Sequence, residues 1–130
     1  MRLAVTVFMV IVLLMIPTIT SADYTVERYE ALMGDWSNAN LMELYFNGLG
    51  SGFEWANLVL ERGKQKKLYC QPDDVELNTK DYISIIDNQI TKKKSIYSKQ
   101  GKEADLKDVY IEVLLLYGLR EKFPCKEKGE

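Results

Sequence analysis

The chain contains no histidine. That one absence removes the commonest general base and the commonest zinc ligand. There are only two cysteines, Cys70 and Cys125, with no CxxC spacing and no imidazole to activate a thiolate. No nucleophilic triad, P-loop, dinucleotide fingerprint or EF-hand can be written from the residues that remain. Charge is close to balanced, 17 basic against 19 acidic residues, which argues against the strongly basic face that nucleic acid requires. No internal repeat is present, and no second apolar span comes after Leu3–Ile16. The chain reads as a binder or structural protein, not an enzyme, with no catalytic residues, no metal and no cofactor.

The carboxylates that are present do not alter that reading. Glu54 and Glu61 lie seven apart, hence about 10 Å apart on one helical face, too far for a retaining glycosidase pair. They read as solvated glutamates balanced by Arg62 and the nearby lysines. Trp55 and Asn57 between them read as a core aromatic and a satisfied buried amide.

The amino-terminal residues read as an address. Arg2, the apolar run Leu3–Ile16, the break at Pro17 and the small residues Thr20-Ser21-Ala22 make a signal peptide over residues 1–22, cleaved after Ala22. The run is short for the about 20 residues of a bilayer span, so no stable membrane insertion is expected after cleavage. Residues 23–130 form a single domain with one modest core. In an exported chain, two cysteines read as one disulfide, Cys70 to Cys125. Closing that loop stabilises by roughly 4 kcal/mol in the chain-entropy model.

Apolar periodicity predicts an all-α bundle of about four helices. Asp23–Met33 forms the first, with Thr25 as N-cap and Gly34 as stop. Asp35–Asn40 is turn-forming, and Asn38 or Asn40 caps the central helix. From Leu41 the chain alternates apolar residues with Gly48, Gly50 and Gly52 before the amphipathic run Phe53–Leu60. Gly48, Gly52 and Ala56 fall four apart on one helical face and form a packing seam where a neighbouring backbone can come close. Three glycines cost about 3 kcal/mol inside a helix, so one long helix and two shorter ones remain equally compatible with composition. A third helix starts at Asn78 with a capping box to Asp81 and runs out among Lys92–Lys94. Thr91–Ala104 is then a basic loop, either simply solvated or a partner contact carrying Lys92, Lys93, Lys94, Tyr97, Lys99 and Lys102. The last helix, about Asp105–Lys122, is apolar nearly all round. It is the central post of the bundle or lies in a subunit interface.

Taken together, Tyr45, Asn47-Gly48-Leu49-Gly50, Gly52-Phe53-Glu54-Trp55-Ala56-Asn57, Leu68-Tyr69-Cys70-Gln71-Pro72 and Leu119-Arg120-Glu121-Lys122-Phe123-Pro124-Cys125 resemble the Rap1a/Tai family. These are small exported bacterial proteins of α-helical fold. The resemblance implies that the glycine segment lies inside one long helix and that Cys70 pairs with Cys125. It implies a periplasmic immunity protein that forms homodimers and binds a secreted peptidoglycan amidase effector of a type VI secretion system. Two other readings stand beside it: an envelope-stress protein with chaperone-like binding at acid pH, and a structural accessory of the envelope with no inhibitory role.

Overall fold

The structure, a computed structural model, describes residues 24–126 apart from Trp36 and Asn38. The leader assigned to residues 1–22 and the candidate cap Asn38 lie outside the described residues. Among the described residues five helices succeed one another: α1 Val26–Met33, α2 Ala39–Arg62, α3 Thr79–Lys99, α4 Glu103–Leu106 and α5 Ile111–Lys122. Among the described residues there is no strand, only an isolated antiparallel bridge between Thr25 and Tyr110. The fold is all-α.

Local signals explain where most helices begin. Thr25 caps α1 by accepting the Arg28 N–H at 3.4 Å, and Gly34 stands at its end. Asn78 and Asp81 make the expected reciprocal capping box on α3, which satisfies two of the orphan donors of a helix start. Asn40 lies inside α2 and so is not its cap. In the turn before α2, the Asp35 carboxylate accepts the Ser37 N–H at 2.9 Å.

The glycine segment is one helix: α2 runs unbroken through Gly48, Gly50 and Gly52. Its core face carries Met42, Phe46 and Gly50, with Tyr45, Leu49 and Phe53 packed at the margin. The close approach is at Gly50, where an added Cβ would lie 2.3 Å from the Tyr82 ring. At Gly48 and Gly52 such a Cβ would meet no atom within 4 Å from any other part of the described residues. Of the expected seam over Gly48, Gly52 and Ala56, the two glycines therefore face away from the core among the described residues, because the core takes the side of α2 that carries Gly50.

Two expectations about the second half are corrected. The helix expected to stop at Lys92–Lys94 continues to Lys99, since lysine is a good helix former and its charge does not end a helix. The turn comes at Gly101, whose φ of 65° is a left-handed conformation suited to glycine. The single last helix is instead α4, one turn long, and α5. The backbone between them is held extended by the amino-terminal edge: Val26 N–H donates to Val109 O and Ile111 N–H to Tyr24 O, both at 2.8 Å.

α5 packs most extensively on α3. Ile111, Leu114, Leu115 and Leu119 are fully buried in one core with Ile86 and Phe46. Yet α5 is not buried all round: Val113 and Tyr117 stand exposed on its outer side. Cys70 and Cys125 form the disulfide, and the Cys70 N–H donates to Phe123 O at 2.9 Å beside it. No described helix is long and apolar enough to cross a membrane.

Candidate functional site

At 100° per residue, Leu41, Leu44, Gly48, Gly52, Trp55 and Val59 fall within an arc of about 80° on α2. This arc faces away from the core. Leu44, Trp55 and Val59 are 72%, 65% and 66% exposed, and Leu41 is 51% exposed. Trp55 is thus not the core aromatic that its helical setting suggested. The face has large residues at both ends, small ones in the middle and no charge between Leu41 and Val59, with Arg62 at the angle of Leu44 closing it at the end of α2. Its steps are of three or four residues throughout, as in a helix seam. Gly48 and Gly52, expected in such a seam, are at its centre, with nothing among the described residues packed within 4 Å of an added Cβ. Leu41, Leu44 and Val59 carry no distinguishing mark in the sequence beyond that same spacing, which runs through them.

The six residues of the expected basic contact do not share one surface. Lys92 pairs with Glu121 on α5, whereas Lys94 pairs at 2.6 Å with Glu30 on α1. Two positions apart on a helix, they point to opposite flanks. Lys93 Nζ lies 5.9 Å from the centroid of the Tyr117 ring, and Tyr97 is half-buried against the core. Among the described residues, Lys99 and Lys102 have no ion-pair partner. The contact with Lys92, reinforced by the Gln89 amide, holds the Glu121 carboxyl below the usual carboxylate range.

A concavity of about 510 Å³ lies between the second half of α2 and the segment that carries Cys70. Asn57 closes its floor, accepting the Leu68 N–H at 2.7 Å and donating to Tyr69 O at 3.0 Å. It is a satisfied amide, as its setting on a packed helix predicts. Glu61 pairs with Lys67 at 2.8 Å. Glu54 lines the same cleft and receives the Tyr82 hydroxyl at 3.5 Å. Burial, and after it the Glu54 charge, pushes the Tyr69 and Tyr82 phenols up to about 12. Tyr29 is raised further by burial and by donating to Asp87 at 2.8 Å. No group of three or more His, Cys, Asp or Glu among the described residues is placed to hold a metal.

Glu112, the lone acid in the apolar run of α5, has a role that sequence reasoning missed. Its Oε1 accepts the Tyr24 N–H at 3.1 Å and the Tyr45 hydroxyl. Its Oε2 is shielded from water and has no hydrogen-bond partner among the described residues. An acid alone among Val109–Leu119 was the available signal.

No family model, no curated protein and no solved structure matches this chain.

Proposed function

We propose that this protein is an exported inhibitor. It pairs with a second copy through the outer face of α2 and occludes a secreted peptidoglycan amidase in the periplasm. The observation behind the reading is the uncovered apolar arc from Leu41 to Val59. Exposed apolar patches on small monomers mark protein contacts. The order of side chains along the arc, large then small then large, is unchanged on reversal. Two antiparallel copies would thus set Leu41 and Leu44 of each against Val59 and Trp55 of the other, with the glycines at the crossing. Such self-complementarity is what a two-fold interface requires. The effector would meet the remaining basic and aromatic surface, where Lys93 covers Tyr117 and where Lys99 and Lys102 have no ion-pair partner among the described residues. Positive charge there would steer association with an acidic cleft.

The test has two arms. Sedimentation equilibrium on residues 23–130 is expected to give a dimer, and Leu44→Glu or Val59→Glu a folded monomer. Tagged chain is then used to retain a peptidoglycan amidase, whose cleavage of purified peptidoglycan should fall at equimolar inhibitor. An amidase that is neither bound nor slowed would end the inhibitor reading. Suppression of aggregation of unrelated proteins at acid pH would put the chaperone-like reading in its place.

A further inference from the structure

A second concavity, of about 340 Å³, opens beside the disulfide and is lined by Lys66, Lys67, Leu68, Arg120, Pro124 and Cys125. Half of these residues are cations and none is an acid. The fold fixes the grouping from both sides. Asn57 holds the segment that follows the lysines, through Leu68 N–H and Tyr69 O. Cys70 is tied to the end of α5 by the disulfide and by donating its N–H to Phe123 O, and Arg120 lies in the last turn of that helix. Lys67 is answered by Glu61 at 2.8 Å. Lys66 and Arg120 have no ion-pair partner among the described residues. The helix dipole favours a cation in a last turn, which accounts for Arg120 but not for Lys66 on a separate segment. Two uncompensated cations drawn to one cavity repel each other, in a chain that has 19 acidic residues to draw on.

We propose that this cavity binds a phosphate monoester. Lys66 and Arg120 leave two positive charges unanswered, and a phosphate monoester carries about 1.5 to 2 negative charges at neutral pH, whereas a carboxylate carries one. Arg120 supplies a planar fork that takes two oxygens at once, and Lys66 a mobile point charge for the third. Leu68, Pro124 and the half-cystine Cys125 form the apolar side of the cavity, against which the carbon part of the ester would lie. The volume is at the small end of the roughly 300–1,000 Å³ of ligand sites, so that carbon part is short. The site goes beyond the inhibitor reading and does not depend on it.

The experiment follows the isotope-labelled, disulfide-bonded protein by NMR at fixed ionic strength while glycerol phosphate is added. Saturable shifts are expected at the amides of Leu68, Arg120 and Cys125, with half-saturation at or below about 1 mM, and acetate should need at least about tenfold more. Arg120 and Lys66 are exposed, so Arg120→Gln and Lys66→Gln leave the core intact. Each should weaken binding about tenfold, as loss of one charge-assisted pair does. Lys99→Gln, outside the cavity, should leave the affinity unchanged. Shifts that never saturate, equal affinity for acetate, or the same loss in Lys99→Gln overturn the site. Sedimentation with vesicles of phosphatidic acid in phosphatidylcholine separates the two sources of the ester. Co-sedimentation that Arg120→Gln abolishes supports the site and assigns it to a lipid headgroup. Saturable binding of glycerol phosphate by a protein that stays in the supernatant supports it and assigns it to a soluble ester.

Discussion

Gly50 lies directly beneath the ring of Tyr82: a Cβ at position 50 would be 2.3 Å from the ring's Cζ. Tyr82 is 3% exposed and has nowhere to retreat without disturbing α3. Gly50→Ala is therefore expected to destabilise by about 1–3 kcal/mol through overpacking. Gly48→Ala and Gly52→Ala have open space instead and should each stabilise the monomer by about 1 kcal/mol through helix propensity. Urea unfolding of residues 23–130 at dilute concentration checks the signs. Three effects of one sign would contradict this packing.

Gly118 plays the same part on α5. An added Cβ there would lie 2.2 Å from Ile85 Cγ2, so Gly118→Ala is expected to cost about 1–3 kcal/mol. Because the severest conflict is with the Ile85 side chain, with Gln89 Cγ next at 3.2 Å, the cost should shrink in an Ile85→Ala background. A double-mutant cycle measures that coupling, and strict additivity would show that the strain lies elsewhere.

The disulfide closes a sequence separation of 55 residues. Cys70→Ser with Cys125→Ser is expected to lower stability by about 4 kcal/mol in the chain-entropy model. Thermal melts with and without reductant should show a loss of that size on reducing the wild type and none on treating the double variant.

Asn57 is the hinge pin of the segment that leads to Cys70. Removing its two hydrogen bonds in Asn57→Ala leaves the Leu68 N–H and Tyr69 O to find water, at about 1–3 kcal/mol. Tryptic cleavage at Lys64, Lys66 or Lys67 is expected to quicken in native buffer. An unchanged digestion rate would mean that the disulfide alone fixes this segment.

Tyr69 and Tyr82 set an alkaline limit. Their phenols titrate at about 12 in the folded protein, against an ordinary value of 10.0, chiefly through burial. Above pH 10 the unfolded chain loses phenolic protons that the folded chain retains, so unfolding gains. The stability they contribute is fully present below pH 10 and is lost as pH rises through about 12. Urea midpoints between pH 9 and 12 should fall, and the slope should lessen in Glu54→Gln, where the neighbouring charge is gone.

The helix starts were the most legible part of the sequence, because Thr25 and the Asn78/Asp81 pair act within one turn and need no tertiary partner. Continuation of α2 through its glycines was not decidable from composition, since the compensation comes from burial of Met42 and Phe46 on remote elements. The same cause left open what the Gly48–Gly52 face meets. Spacing identified Gly48 and Gly52 as sharing a face, but which face meets the core depends on Tyr82, 32 positions beyond Gly50.

The lysines were misread for a different reason. Lys92 to Lys94 look like a solvated run in one dimension, yet a helix turns them outward to opposite flanks, where Glu121 and Glu30 wait on two other helices. The break in the last helix was hidden because Val109 and Tyr110 have the apolar character of the helix they precede. Only their pairing with residues 24–26 holds them extended.

That pairing also fixes an order of events. Tyr24 and Glu112 are 88 residues apart, so during synthesis at about 5–20 residues per second the first segment waits on the order of ten seconds for its partner. α1 has eight residues, too few to hold a helix alone in water. The segment made first is thus among the last to settle. The corner where Tyr24 meets Glu112 cannot lock until nearly all of the sequence between them exists.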